Sequence, residues 1–217
     1  MLLDNFRKGA PEFIDSMRKS NDKIVAFSVL RTFVAVGGKV VIVGKGASGK
    51  DTMLNELVSM YSCFRKIIWN TSRPKRNGEV DHLDYHFENR FSRTEVLYNK
   101  TFNIGDVEWN YWLNSRDWLS GNITVGTPDF VKSLDTTGER QQTLVMYIDE
   151  PDDVRAHRLS VRNDADSVSR RIESDKEDFS YFDNFDYCMS EGKFRVRDEQ
   201  INYDDAIRNG AYYKHER

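Results

Sequence analysis

The stretch VIVGKGASGKDTML, residues 41–54, constrains the fold of this chain more than any other. Residues 39–43, KVVIV, are a β-branched run that reads as a buried strand. They lead without a spacer into Gly44, Lys45, Gly46, Ala47, Ser48, Gly49 and Lys50. Apolar residues at 53, 54, 57, 58 and 60 then fall on one helical stripe. The pattern G-x-x-x-x-G-K between a strand and a helix is an anion trap. Glycines let backbone N–H groups curl around phosphate oxygens, the helix N-terminus adds the positive end of its dipole, and Lys50 reaches toward the β- and γ-phosphates of a nucleotide. One position is unusual. Where the pattern normally places a hydroxyl residue as a magnesium ligand stands Asp51, with Thr52 next. The Thr52 hydroxyl is one candidate ligand; Asp51 either complements the helix dipole or contacts Mg²⁺ itself.

A chain of 217 residues is long enough for one sizeable core, with room for small appended lobes. Its net charge of −3 offers no general attraction for nucleic acid or anionic membrane, so any basic function must be local. Cys63 and Cys188 stand far apart without C-x-x-C spacing, which gives neither a disulfide framework nor a cysteine zinc site and suits a reducing cytosol. No run approaches the roughly 20 apolar residues of a membrane span, and charges interrupt the N-terminus too early for a signal peptide. A cytoplasmic protein is expected, with its oligomeric state left open.

Along the chain, residues 21–36 space Ile24, Phe27, Leu30 and Val34 as on a helix, with Asn21 or Asp22 as N-cap, although their β-branched content keeps a strand open. KIIW (66–69) reads as a short strand. Residues 70–120 change character, being rich in Arg, Asp, Asn, Trp and Tyr. Their strand-like pieces DYHF and NYWL, and a helix candidate over SRTEVLYNK (92–100), suggest a polar lobe around a concave site rather than more core. Core-like strands return at NITV (122–125) and TLVMYID (143–149). Two charged helices follow, EPDDVRAHRLSVRND and DADSVSRRIESDKEDF, then a last buried strand FDYCM (185–189) and a polar tail with a helix candidate near YDDAIRN. Strands alternating with helices predict a parallel α/β sheet.

The second strong signal is TSRPKRNGEVDHLDYHF, residues 71–87. With the glycine loop ahead of it, NYW at 110–112 and the arginine-bearing HRLSVRNDADSVSRRIES at 157–174, it resembles the guanylate kinase family over residues 39–190. The resemblance implies a P-loop NTPase three-layer sandwich with a central parallel sheet, an inserted acceptor-binding lobe and a helical lid. It divides the chain into a helical N-terminal extension (1–38) and a guanylate-kinase-like domain (39–217), with the lobe at 70–119 and the lid at 155–173. It also implies that ATP, with Mg²⁺, is the phosphoryl donor on Lys50 and the loop amides. Arg73, Arg76 and Tyr85 would clamp the acceptor phosphate, and Arg162 and Arg171 would come from the lid. Arginines converging on two phosphate chains suit a reaction that is mostly positioning and charge neutralisation.

Departures cluster at the base site. The family's guanine-reading Ser aligns with Trp69, its Glu with Asn103 or Ile104, and its strand Asp with Thr127; the second Tyr of its Asn-Tyr-Tyr is Trp112, followed by Leu113-Asn114. Two carboxylate acceptors are replaced by neutral groups unless Asp106 or Glu108 takes over, so phosphate capture looks kept and guanine readout rewritten. Trp69, Asn103, Trp112, Asn114 and Thr127 are the base-site candidates, and Trp69, Trp109 and Trp112 either stack on a base or simply pack. The expected activity is ATP-dependent phosphorylation of a (d)NMP, GMP or dGMP by family default. The alternatives are a phosphorylated sugar or a nucleotide within a polymer, the last needing a local patch such as Lys8, Arg18, Lys19, Lys75 and Arg76. A non-catalytic binding module of the same fold is disfavoured by the intact Gly44, Gly49, Lys50 and Thr52.

Overall fold

The computed structural model describes residues 2–17, 21–89, 95–104, 106–161 and 167–199. In chain order its elements begin with α1 (Leu2–Met17), α2 (Asp22–Ala35), β1 (Lys39–Gly44), α3 (Lys50–Met60), β2 (Trp69–Thr71) and β3 (Tyr85–Phe87). There follow β4 (Val96–Ile104), β5 (Val107–Asn114), α4 (Ser115–Ser120), β6 (Ile123–Gly126) and α5 (Pro128–Thr137). After a 3₁₀ turn come β7 (Thr143–Asp149), α6 (Asp152–Val161), α7 (Val168–Phe179), β8 (Tyr187–Ser190) and β9 (Lys193–Val196).

Two sheets result. The larger runs β6-β1-β7-β8-β9, parallel except for the antiparallel β9, and the smaller runs β3-β2-β5-β4. β1 is buried on both faces because parallel strands here are covered by helices on each side, and alternate side chains serve alternate layers. Val40 and Ile42, with Leu144 and Met146, join the cluster built with α1, α2 and α3. Val41 and Val43, with Val145 and Tyr147, join the one containing Trp118 of α4 and Phe130, Val131 and Leu134 of α5. This is the three-layer α/β sandwich with a central parallel sheet.

Helices α1 and α2 share a hydrophobic cluster with the sheet. Leu3, Ala10 and Ile14 of α1 and seven buried apolar residues of α2 lie there. Asn21 is the α2 N-cap, accepting from the Lys23 amide at 2.9 Å, while Asp22 instead accepts from Phe194 N in β9. No helix among the described residues is long and apolar enough to cross a membrane.

Three sequence expectations are corrected. The helix candidate at 92–100 is strand β4 from Val96 onward, residues 92–94 lying outside the described ones. Val96, Tyr98 and Phe102 favour the pleated surface, and pairing to β5 fixes it. KIIW is not a strand of its own. Lys66 makes a single bridge to Ile123, and the strand starts at Trp69, in the smaller sheet. The lobe also contributes core, since Leu113 and Trp118 are buried in the cluster on the α4–α5 face of the larger sheet, beside Trp69. The polar tail supplies β9, and the helix candidate near YDDAIRN lies outside the described residues.

Candidate active site

The glycine loop sits where β1 ends and α3 begins, at the C-terminal edge of the parallel sheet, where ligands of open α/β sheets bind. Two glycines are required by geometry. Gly49 adopts φ +97° to start α3, and a Cβ on Gly44 would fall 2.4 Å from Ser48 Oγ and 2.8 Å from the Ile148 carbonyl oxygen. Ala47 also takes a positive φ, 61°. Gly44, Gly46, Ala47, Lys50 and Asp51 line a cavity of about 330 Å³. Lys45 turns aside toward Asp152, 3.9 Å away. Ser48 Oγ is buried with no hydrogen-bond partner, and Thr52 is exposed and off the cavity wall.

The residues expected at the acceptor phosphate, Arg73, Arg76 and Tyr85, are placed by the turn at residues 72–84 and by β3. Arg73 is buried beneath the rings of Tyr85 and Phe87, its guanidinium 5.0 and 5.5 Å from their centres. Glu79 takes both its terminal nitrogens, at 2.7 and 2.5 Å, and also accepts from the Arg76 amide at 2.7 Å. Burial opposes the Arg73 charge, but the Glu79 hydrogen bond and nearby acidic groups outweigh it and raise its pKa above the ordinary guanidinium value. Burial likewise works to raise the Glu79 pKa, and Arg73 together with the Arg76 amide brings it below the usual carboxylate value. Tyr85 is pushed up by burial, with Asp51 and Tyr111 adding to it. Arg76 is exposed and, with Tyr85, lines both the large cavity and a second one of about 260 Å³ that holds Arg73 and Glu79.

At the lobe end, strand alternation decides which side chains reach the cavity. Tyr98, Lys100 and Phe102 of β4 and Trp109 and Tyr111 of β5 line it, with Phe102 opposite Trp109 and Lys100 opposite Tyr111. Asn103, of the other parity, is exposed beside Glu108 and off the cavity wall. Trp112 is 1% exposed and serves as core. Asn114 stands at the N-cap of α4 with its Oδ1 buried and without a partner, away from the cavity. Of the sequence candidates Trp69 and Thr127 do line it. The Trp69 ring packs on Tyr98 and Phe130 and its Nε1 donates to Thr124 Oγ1 at 2.8 Å. Thr127 caps α5. Lys100 bridges Asp129 and Asp178 at 3.0 and 3.1 Å; burial lowers its pKa, but these two hydrogen bonds leave it raised. Trp109 Nε1 is buried with no hydrogen-bond partner.

Helix α7 brings Arg170, Arg171, Ser174, Asp175 and Asp178 to the cavity. Arg162 lies outside the described residues, as do Arg18 and Lys19. Sequence reasoning missed Arg155, fully buried on α6, which donates from Nε to the Gly46 carbonyl at 2.9 Å and from a terminal nitrogen to Asp175. Burial raises the Asp175 pKa despite that guanidinium and the Gly46 amide. Lys100 was also missed; the two-residue period of β4 was the signal for it. No such signal marks Arg155 or Asp175, in helices full of charge.

Residues 37–115 match the family model described as guanylate kinase. The guanylate kinase of Alcanivorax borkumensis is 26% identical over 170 residues, covering 73% of this chain and 81% of that protein. Those of Gloeobacter violaceus (27%; 75% and 83%) and Rhodopseudomonas palustris (28%; 82% and 84%) match similarly. The crystal structure of guanylate kinase from Anaplasma phagocytophilum aligns with a TM-score of 0.45 at 14% identity, over 82% of this chain and 88% of that one.

Proposed function

We propose, from its similarity to guanylate kinases, that this chain is a nucleoside monophosphate kinase of that family, passing the ATP γ-phosphoryl group to the 5′-phosphate of a (d)NMP. One observation carries the reading: the glycine loop with Lys50, and Arg76 with Tyr85, lie on the wall of a single cavity. Phosphoryl transfer depends mostly on positioning two phosphate chains and neutralising them, so cationic groups for both chains in one space are the machinery it needs. Lys50 and the loop amides hold the donor phosphates. Arg76 and Tyr85 hold the acceptor phosphate, with Arg73 bracing Tyr85 from behind. Arg171 and Arg170 approach from the lid, whose closure excludes water and limits ATP hydrolysis.

Mg²⁺ fits the donor end. It needs only one or two protein oxygens beside those of the phosphates, and Asp51 presents a hard carboxylate on the cavity wall next to Lys50. When bound, the ion supplies charge neutralisation to the phosphates. Thr52, off the wall, is the weaker ligand candidate.

The base end is an aromatic slot of Trp69, Tyr98, Phe102 and Trp109 with the Lys100 ammonium on its wall as an N–H donor, and the buried, unpaired Trp109 Nε1 is read as a second donor that a bound base reaches. Donors pair with a keto oxygen, so the acceptor is read as GMP or dGMP by family and as a thymine or uracil nucleotide on equal chemical grounds. An ADP-formation assay with ATP and Mg²⁺ against all common NMPs and dNMPs, with Lys50→Ala as control, tests this. Turnover of keto-bearing acceptors supports it, turnover of AMP or dAMP alone overturns the base reading, and turnover of none overturns the activity.

A further inference from the structure

The Asp175 carboxylate lies on the glycine loop. Its Oδ2 accepts from the Gly46 amide at 2.9 Å and from the Arg155 guanidinium. Arg155 is wholly buried and reaches around Gly46, binding its carbonyl at 2.9 Å and Asp152 at 2.5 Å. A loop amide and a buried guanidinium converging on one oxygen form an oxyanion site. A merely structural ion pair between α6 and α7 needs no loop amide. This one takes an amide from the segment whose pattern exists to bind phosphate, in a place so close that a Cβ on Gly46 would be 3.1 Å from the same oxygen.

We propose that Asp175 is an internal stand-in for a donor phosphate oxygen and that Arg155 is a further donor-phosphate ligand. Two anions cannot share the Gly46 amide, so arriving triphosphate displaces the carboxylate. Arg155 stays in place, anchored by the Gly46 carbonyl and Asp152, and takes up the phosphate oxygen in its stead. Displacement frees α7 to reseat with Arg170 and Arg171, so donor binding and lid position are coupled through one carboxylate. The inference rests on the reading of the loop as the donor site.

The test is the Kd of a non-hydrolysable ATP analogue, measured by calorimetry on the full chain beside thermal unfolding. Asp175→Asn keeps a hydrogen-bonding occupant but removes its charge, and binds the analogue about tenfold tighter than wild type. The double variant Arg155→Leu, Asp175→Ala replaces a buried ion pair by apolar groups, an exchange proteins tolerate. It unfolds within about 4 °C of wild type and binds about tenfold or more weakly than Asp175→Asn. Unchanged or weaker binding by Asp175→Asn overturns the proposal, as does a double variant that binds as tightly as Asp175→Asn. A folded wild type that does not bind the analogue overturns the donor-site reading and the proposal with it.

Discussion

Arg73 and Glu79 meet fork to fork, Nη1 at 2.7 Å from Oε2 and Nη2 at 2.5 Å from Oε1. The guanidinium is almost wholly buried, and the carboxylate also ties down the Arg76 amide. One ion pair thus shapes the turn that presents Arg76, and the two arginines of the RPKR turn have different work. Removing one partner of such a pair strands the other, which costs about 3–5 kcal/mol. Arg73→Ala is therefore expected to lower stability by about that much in urea unfolding. Arg76→Ala, at an exposed position, should change stability by less than about 0.5 kcal/mol. It should nevertheless reduce kcat/KM for the acceptor by about 10–100-fold, as loss of a charged hydrogen bond to phosphate does.

The same pair gives stability a pH dependence of definite sign. The folded Glu79 carboxyl titrates below its ordinary value of 4.5, so in the window beneath that value the unfolded chain binds a proton and the folded chain does not. Its contribution is fully present above pH 4.5 and is lost as pH falls through the folded value. Unfolding free energies of wild type and Glu79→Gln should therefore converge as the solution is acidified, while above pH 5 their difference stays constant.

Lys50 opens α3 from a left-handed Gly49 and lines the cavity. Lys50→Ala should fold normally and lose about 10²–10³-fold in kcat, measured as ADP formation at saturating acceptor.

Gly44→Ala sets a methyl against the Ile148 carbonyl oxygen as well as the Ser48 hydroxyl. Ser48 can rotate, but the β7 backbone is fixed by its ladder to β1. Overpacking of this kind costs about 1–3 kcal/mol, visible as a lowered denaturation midpoint.

Trp109→Phe keeps the ring of the aromatic slot and removes its unpaired N–H. The acceptor KM should rise about 3–10-fold, with the KM for ATP unchanged. An equal rise for both substrates would mean that Trp109 acts on packing.

What the sequence made legible was local. The strand, glycine loop and helix at residues 39–60 are contiguous, and their periodicities and punctuation belong to the same few turns of chain. Arg73, Arg76 and Tyr85 fall within thirteen positions of one another, although nothing in the sequence showed that Arg73 would turn to Glu79 and leave the wall of the large cavity to Arg76 and Tyr85. The base end was misjudged because residues 92–100 were read at helical period, which hid that Tyr98, Lys100 and Phe102 share a face and that Asn103 cannot. Trp112 was named for its ring, yet its parity on β5 sends it away from the cavity. Arg155 and Asp175 meet Gly46 across 109 and 129 residues. Only the packing of α6 and α7 on the loop brings them there, and a charged residue in a charged helix gives no hint of it.

The central claim is transfer between two phosphates held in one cavity, and ³¹P NMR of a reaction containing ATP, Mg²⁺ and dGMP or dTMP tests it most directly. The account predicts that ADP and the acceptor diphosphate grow in together, one for one, with no inorganic phosphate released. ADP accompanied by inorganic phosphate, with the monophosphate unchanged, would contradict it.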